Sequence, residues 1–358
     1  MKILHIAAEH VSGTLSLFRA EHRRRGNECR FVTFFHSPYQ FPEDICLNLP
    51  FMPNRQWVRF GKKVIEGFRG SSSRAVRMGQ PPLWNPPFWE RWLFSARDEL
   101  LRPRLEAAIE KYGLHDFDIY HLDGGLEFYR DARTLKKWIG TGKKIVCFYH
   151  GTDLRNRGIL PEIDKRTHLR LTSEWDLMEL DPRLEYLHLP IDTGRFSPKS
   201  GNAGQTVKIC HAARNVYKGT ESVIRAFREL RKEFDIQLVL LRNVPYEEAL
   251  TLKSKCDIFV DQLTNEGGWG YGMSAVEALA MGMPVVTNIP EKMTARLVEP
   301  PFVQATPDSL TEVLSSLIRN REQRDELGRR GRQWVAAWHD ITRVADVLYG
   351  YYRREGWV

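Results

Sequence analysis

The sequence of 358 residues has few cysteines and no long apolar run. Its five cysteines are an odd number and lie far apart, several of them inside apolar segments. They predict buried thiols in a reducing compartment rather than a disulfide framework or a metal site. No stretch approaches the ~20 apolar residues that span a bilayer, so we expect no transmembrane helix. The apolar start at Ile3–Ile6 turns polar too soon for a signal peptide and predicts a first β-strand.

Several motifs of nucleotide-binding and hydrolytic enzymes are also missing. The first predicted strand is not followed by Gly-x-Gly-x-x-Gly, which disfavours a nicotinamide dehydrogenase. The chain has no Gly-x-x-x-x-Gly-Lys-Ser/Thr loop of a P-loop hydrolase and no Gly-x-Ser-x-Gly elbow. No Asp-x-Asp pair is placed at a strand end to bind a divalent metal, so we expect chemistry that needs neither a metal nor a bound cofactor.

Apolar, strand-like runs alternate with helical periodicity at both ends of the chain. The length suits two α/β domains, and strand–helix–strand units this short pair in parallel with right-handed crossovers. The sequence therefore predicts two Rossmann-like domains with doubly wound parallel sheets. The first covers residues 1–188 and the second residues 189–334, joined where proline, glycine, serine and asparagine cluster at residues 190–208.

Residues 36–110 interrupt this alternation with many prolines, and we interpret them as an insertion with short helices and no sheet. Within residues 51–94, basic and tryptophan-rich segments interleave, in a chain of net charge +8. This pattern suits contact with anionic lipid headgroups, but equally a solvated basic face over packed tryptophans. We expect a cytoplasmic protein, peripheral at the inner face of the membrane, with no nucleic-acid partner.

A glycine-rich loop between a predicted strand at residues 257–260 and a predicted helix at residues 274–281 is the most informative segment. Its glycines let the backbone approach a ligand closely, and the helix N-terminus near Ser274 favours a diphosphate. Ser274 and Glu277 also have the Ser-x-x-Glu spacing of a capping box, so Glu277 alternatively caps its own helix.

A second group, Arg214, Lys218 and Gly219, follows a predicted strand at residues 207–213 and precedes a predicted helix. Two cations at such a junction can neutralise a diphosphate leaving group. The alternative is a pair of solvated loop cations.

Loops of the first half supply further candidates. His150 follows a predicted strand at residues 145–149, where polar groups of a parallel sheet face the ligand crevice, but it is alternatively a loop histidine bonded to backbone. Asp153 can bond an acceptor hydroxyl or cap a helix. Gly13 and Thr14 follow the first strand, where a plain N-cap explains them equally well.

The segment from Gly270 to Val286 resembles retaining glycosyltransferases of family 4. In that family a loop of the form Glu-Gly-Phe-Gly-x-x-x-x-Glu, followed by Ala-x-Ala-x-Gly-x-Pro-Val-Val, binds the donor. The resemblance implies the GT-B architecture, in which two Rossmann-like domains face each other across a cleft. The first domain would hold the acceptor through Gly13, Thr14 and Asp153, and the second the nucleotide sugar. A C-terminal helix, residues 335–358, would pack back on the first domain.

The resemblance also implies a role for each matching position. Glu277 would bond the ribose hydroxyls, Arg214 and Lys218 would hold the leaving diphosphate, and His150 would contact the donor sugar. The family's first glutamate is replaced by Trp269 when counted back from Glu277, and is matched by Glu266 when counted forward from the preceding strand. Both stay candidates, Glu266 to orient the sugar and Trp269 to stack on it. The candidate donor-binding residues are Gly219, Trp269, Gly270, Tyr271, Gly272, Met273, Ser274 and Glu277.

The expected function is metal-independent transfer of a hexose from a nucleotide sugar to a glycan or lipid-linked acceptor. The family retains anomeric configuration without a protein nucleophile, because a donor phosphate oxygen helps to deprotonate the acceptor. Two alternatives stay open: a nucleotide-sugar epimerase on the same fold, and a non-catalytic protein that binds nucleotide sugars or lipid surfaces.

Overall fold

The computed structural model describes residues 1–50, 78–198, 206–212, 218–265 and 268–358. The chain divides into two compact units, Met1–Leu187 (unit 1) and His188–Val358 (unit 2). Each unit is built on a parallel sheet with helices connecting its strands. The extents of the two functional domains and the packing of residues 335–358 on the first of them stay predictions.

In the described part of unit 1, seven parallel strands form one sheet in the order β3-β2-β1-β4-β5-β6-β7. The strands are β1 (Lys2–Ala7), β2 (Glu28–Thr33), β3 (Ile45–Cys46), β4 (Ile119–Asp123), β5 (Lys144–Tyr149), β6 (Leu169–Thr172) and β7 (Glu185–Tyr186). The strand order reverses between β1 and β4. In open parallel sheets, ligands bind at the carboxyl ends of the strands beside such a point.

The helices described in unit 1 are Thr14–Arg24, Phe88–Lys111, Arg133–Ile139, Pro161–Asp164 and Trp175–Leu180, with a π-helical turn at Thr152–Arg157. The prediction of short helices and no sheet for residues 36–110 is wrong in two places. β3 extends the sheet, and Phe88–Lys111 is one helix of 24 residues. Leu101, Leu105 and Ile109 recur every fourth residue and are buried in the core, so one face of this helix is anchored throughout its second half.

In the described part of unit 2, five parallel strands form a sheet in the order β12-β11-β10-β8-β9. The strands are β8 (Val207–Ala212), β9 (Ile236–Leu241), β10 (Ile258–Val260), β11 (Val285–Thr287) and β12 (Val303–Gln304). The helices are Thr220–Leu230, Tyr246–Lys253, Met273–Ala280, Glu291–Thr294, Leu310–Arg319, Arg321–Trp338 and Ile341–Arg354, with a 3₁₀ turn at Thr193–Arg195. Here the order reverses between β8 and β10, so the segments that follow these two strands flank the expected ligand crevice.

Each unit has its own apolar core on its sheet. Strand residues such as Leu4 and Leu122 in unit 1, and Ile209 and Val260 in unit 2, are fully or almost fully buried. Near-continuous apolar strands of this kind are typical of parallel sheets covered on both faces. None of the helices in the described ranges combines the length and apolar composition that a membrane span requires.

Candidate functional site

At the edge of unit 2, one carboxylate joins the two segments that flank the reversal of strand order. Asp261 follows β10 directly and is fully buried. Its Oδ1 pairs with the ammonium group of Lys218, and its Oδ2 accepts the N–H of Gly272 at 2.7 Å. Asp261 therefore fixes Lys218 beside the start of the helix Met273–Ala280. Asp261 was not among the predicted site residues, although an acid directly after an apolar parallel strand is a signal for the ligand edge.

Two glycines of the predicted donor loop leave little room for a side chain. A Cβ at Gly270, whose φ is +98°, would lie 2.4 Å from the Cε of Met293. A Cβ at Gly272 would lie 3.3 Å from the Nζ of Lys218. The loop thus brings bare backbone next to the Lys218 ammonium, as a site for a bulky anion requires.

The N-termini of two helices also lie at this edge of the unit 2 sheet. Gly219, in the left-handed region with φ 75°, occupies the N-cap position of Thr220–Leu230. Gly272 is the N-cap of Met273–Ala280, with no side-chain capping bond, so Met273 and Ser274 form the first turn of that helix. The capping-box alternative for Ser274 and Glu277 is therefore wrong, because the helix begins before Ser274.

Glu277 instead points into a buried polar cluster. Its Oε2 accepts a hydrogen bond from the Nζ of Lys253 at 2.5 Å, and Lys253 also donates to the carbonyl of Ser274 at 3.2 Å. Glu277 is hydrogen-bonded to the hydroxyl of Tyr246 as well; burial first, and then this carboxylate, raise the pKa of Tyr246. The predicted contact of Glu277 with a ribose stays a prediction, now with two residues that hold the carboxylate in place.

The aromatic residues of the loop are held by neighbours within unit 2. The ring of Trp269 lies 5.8 Å from the Nζ of Lys292. Tyr271 stacks on Phe302 with ring centroids 4.6 Å apart, and its hydroxyl lies 3.0 Å from the Nε2 of His339. Two predicted residues, Arg214 and Glu266, lie outside the described residues.

At the edge of unit 1, His150 is paired with an acid from the neighbouring strand. Its Nε2 lies 2.6 Å from the Oδ1 of Asp123, the last residue of β4. Burial by itself lowers the pKa of His150, but the charge and hydrogen bond of Asp123, with the charges of Asp153 and Glu174, outweigh it and raise that pKa to about 9. His150 is therefore a cation at neutral pH. Its side chain pairs with a carboxylate, so the alternative of a loop histidine bonded to backbone is wrong. Asp123 was missed by the sequence analysis.

Carboxylates surround this imidazolium. Asp153 lies in the π-helical turn, 3.6 Å from the guanidinium of Arg157, and burial raises its pKa against the opposing charges of Arg157 and His150. The turn has no side-chain capping bond, so Asp153 does not act as the helix cap that the sequence left open. Glu174 accepts the N–H of Gly151 at 2.6 Å. This edge is rich in hydrogen-bond acceptors.

The loop after β1 reaches the same edge of the sheet, because β1 pairs with β4. Gly13, with φ 69°, is the N-cap residue of Thr14–Arg24 and makes no side-chain capping bond. The hydroxyl of Thr14 donates to the carbonyl of Val11 at 3.3 Å. The structure thus places both residues on the unit 1 edge, and their predicted role toward an acceptor stays a prediction.

The chain is similar to known proteins over the part of unit 2 that contains Asp261 and the glycine-rich loop. Residues 235–334 match the family model described as glycosyl transferases group 1. The chain is therefore similar to group 1 glycosyltransferases over these residues, and it has the GT-B fold. The segment from Gly270 to Val286, on which the predicted resemblance rested, lies inside this range. The predicted fold and the predicted resemblance to group 1 glycosyltransferases are confirmed, whereas family 4 and the retaining mechanism stay predictions.

Two curated relatives of this chain are mannosyltransferases. The MMP alpha-(1->4)-mannosyltransferase of Mycolicibacterium hassiacum is 27% identical over 201 residues, covering 47% of this chain and 48% of that protein. The GDP-mannose-dependent alpha-(1-6)-phosphatidylinositol monomannoside mannosyltransferase of Mycobacterium tuberculosis is 24% identical over 272 residues, covering 61% and 65%. The chain spans less than two thirds of the length of each relative.

Solved structures share the fold along almost the whole chain. Anabaena HepE in complex with UDP and glucose superposes with a TM-score of 0.57 at 12% identity, covering 99% of this chain and 100% of that chain. The lipopolysaccharide outer core galactosyltransferase WaaB gives a TM-score of 0.53 at 13% identity, covering 99% and 100%. Identity this low carries the fold alone. The group 1 domain and the mannosyltransferase relatives support the predicted class, a nucleotide-sugar-dependent glycosyltransferase.

Proposed function

We propose that this chain transfers a hexose from a nucleotide sugar to a glycan or lipid-linked acceptor, with retention of anomeric configuration and without a metal. The observation that carries the proposal is the arrangement of Lys218, Asp261 and Gly272. A fixed ammonium group, a stretch of bare backbone and a helix start meet at the end of adjacent parallel strands. The first N–H groups of a helix have no partner within the helix, and together with a lysine they favour a diphosphate.

In the proposed reaction, the bond from the anomeric carbon to the donor phosphate breaks as the acceptor oxygen bonds to the same face of the sugar. The acceptor proton passes to the leaving phosphate oxygen. Lys218, with Arg214, neutralises the charge that develops on this leaving group, and Asp261 positions the ammonium. His150 is already protonated at neutral pH, so it donates a hydrogen bond to the sugar or phosphate and does not act as a base.

The names of the similar proteins indicate which nucleotide sugars to test first as donors. One relative is GDP-mannose-dependent, and one neighbour of the same fold is complexed with UDP and glucose. A thermal-shift screen would compare UDP, GDP, ADP and CMP, each with its common sugar conjugates. A ligand that binds only the native state raises the melting temperature by mass action. We expect a shift with one base, abolished in Lys218→Ala and kept in Lys232→Ala, an exposed lysine of the same unit paired with Glu229. No shift with any nucleotide would overturn the donor site.

The identified donor then separates transfer from the two alternatives. Transfer requires a glycosylated product that appears only when acceptor is present. An epimerised donor in the absence of acceptor would indicate an epimerase. Tight binding with neither transfer nor donor hydrolysis would indicate a non-catalytic protein. A brief treatment with EDTA should leave the transfer rate unchanged.

A lipid-linked acceptor is supported by the exposed start of the helix Phe88–Lys111. Phe88 and Trp92 are 83% and 62% exposed, and Arg91 beside them is exposed too. Aromatic side chains interleaved with cations suit the interface of an anionic membrane. The rest of the predicted surface, residues 51–77, lies outside the described residues. We propose a peripheral position at the inner face of the membrane.

Flotation with anionic and neutral liposomes tests this position. Binding should require anionic lipid, weaken at high salt and fall in Trp92→Ser. Trp338→Ser, which removes a half-exposed tryptophan from unit 2, is the matched control and should bind like the wild type. Failure of the wild type to bind at low salt would remove the membrane from the proposal and leave a soluble glycan acceptor.

A further inference from the structure

The first strand–helix–strand segment of unit 1 brings together three side chains that are common metal ligands. His5 lies on β1, His22 on the helix Thr14–Arg24, and Cys29 on β2. One ligand atom from each of the three lies within 4.8 Å of the others. His5 is 5% exposed, and His22 and Cys29 are fully buried. The cluster is therefore inside the domain, held by three rigid elements.

One polar atom of this cluster has no partner in the part of the protein that the structure describes. The Nε2 of His5 is buried without a hydrogen-bond partner, which is unusual for a polar atom in a protein interior.

We propose that His5, His22 and Cys29 bind a Zn²⁺ ion that cross-links β1, the following helix and β2. Imidazole nitrogen and thiolate sulfur are the preferred ligands of zinc in structural sites. Binding releases the Cys29 proton, so the ion carries one thiolate and two neutral imidazoles. His121, on the neighbouring β4, stacks on His5 with ring centroids 4.4 Å apart and positions that ring.

This site is separate from the residues proposed for transfer, and the metal-independence of the reaction concerns only those residues. No metal site was predicted from the sequence, because the five cysteines are an odd number, lie far apart and stand in several cases inside apolar segments. Folding of the parallel sheet supplies the proximity instead. If the proposal holds, that prediction was wrong at Cys29.

A second cluster offers a control. Ligand atoms of His36, Glu43 and Cys46 also lie within 4.8 Å of one another, but His36 is 65% exposed. Glu43 already pairs with His36 at 2.9 Å and accepts the N–H of Ser37 at 2.8 Å. We propose no metal site at this exposed cluster. A variant that lacks His36 is a control, because it removes metal bound here and leaves the buried cluster unchanged.

The test measures zinc in untagged protein that has been expressed with added zinc and passed over a chelating resin, using elemental mass spectrometry. We expect one ion per chain in the wild type. The zinc content should fall about tenfold or more in Cys29→Ser and in His22→Gln, since losing a ligand costs at least as much as losing an outer-shell partner. Cys147→Ser, at another buried thiol of the same sheet, and His36→Ala should keep the ion.

A zinc-free wild type, or equal zinc in wild type and Cys29→Ser, would overturn the proposal. Cobalt provides a readout that needs no variant to fold. Wild-type protein expressed with Co²⁺ should show a thiolate-to-cobalt charge-transfer band, and absence of the band would also contradict the site. If Cys29→Ser folds, it should lack the band while Cys147→Ser retains it.

Discussion

The two sheet edges have the same architecture and different chemistry. In unit 2, one buried acid, Asp261, pairs with Lys218 and accepts a backbone N–H, and glycines border both. In unit 1, Asp123, Asp153 and Glu174 lie around one imidazolium, and the last two also pair with arginines. Cations and N–H groups favour an anionic diphosphate, whereas carboxylates accept hydrogen bonds from hydroxyls. The residues at and near the strand ends, rather than the fold, thus support the proposed placement of the donor at unit 2 and of the hydroxyl-bearing acceptor at unit 1.

The largest expected effect lies just behind the unit 2 edge, in the buried pair of Lys253 and Glu277. Both side chains are almost fully buried. Lys253→Met should lower the free energy of unfolding by about 3–5 kcal/mol, because it leaves the Glu277 charge without its partner. Urea unfolding measures this, with Lys232→Met at an exposed pair as control.

The double variant Lys253→Met/Glu277→Gln should recover part of that loss, since no buried charge is then left alone. A loss below about 1 kcal/mol in the single variant would mean that Glu277 is solvated and not part of a buried cluster.

Lys218→Ala tests the edge itself. We expect kcat to fall by about 10²–10³-fold, the usual effect of removing one group that stabilises developing charge. Stability should fall as well, because the fully buried Asp261 keeps the N–H of Gly272 but loses its cation, so the kinetics use protein that urea unfolding shows to be folded. Steady-state kinetics with the donor from the nucleotide screen measure the loss, and Lys232→Ala is the control. Full activity would show that the lysine of this edge does not meet the leaving group.

His339 tests how the donor loop is held in unit 2. Burial lowers its pKa to about 4, against a hydrogen bond from its Nδ1 to the carbonyl of Leu189. A lowered histidine pKa means that the native state binds fewer protons than the unfolded chain, so stability is present above pH 6.5 and is lost as pH falls toward 4. Between pH 7 and pH 5 this amounts to about 2 kcal/mol.

His339→Gln should therefore lose less stability than the wild type over that interval, as measured by urea unfolding at the two pH values. His36→Gln, at an exposed histidine, is the control. Equal losses in wild type and His339→Gln would show that His339 is protonated in the native state as well.

The fold could be predicted from the sequence because strand-like runs and helical periodicity are local. The predicted strands at residues 145–149 and 257–260 each differ from the observed bounds by one residue. The helix Phe88–Lys111 was missed because its first turns are exposed and aromatic and follow several prolines, which hid the periodicity of its buried second half.

The site was predictable only where single segments carry it. The donor loop and Lys218 could be recognised from neighbouring residues in the chain. The pairs that Asp123 and Asp261 make could not be recognised, since each meets its partner across the sheet and the strand order brings them together. Lys253 likewise resembles an ordinary basic residue in the last turn of a surface helix, until the fold places it against Glu277.

The smallest expected effect concerns His150, whose pKa shift is opposite in sign to that of His339. A histidine pKa raised to about 9 contributes stability fully below pH 6.5, and that stability is lost as pH rises through 9. If the imidazolium also serves transfer, kcat/KM should fall across the same pH range.

Asp123→Asn removes the charge that raises the pKa of His150, so burial then lowers that pKa, and the fall in kcat/KM should begin below neutral pH. At pH 8 the variant should be about tenfold slower than the wild type, with a smaller difference at pH 6. Asp131→Asn, at an exposed acid of unit 1 paired with Arg133, should keep the wild-type profile. An unchanged profile in Asp123→Asn would mean that the charge of His150 takes no part in transfer, and it would leave the carboxylates of the unit 1 edge as the groups proposed to meet the acceptor hydroxyl.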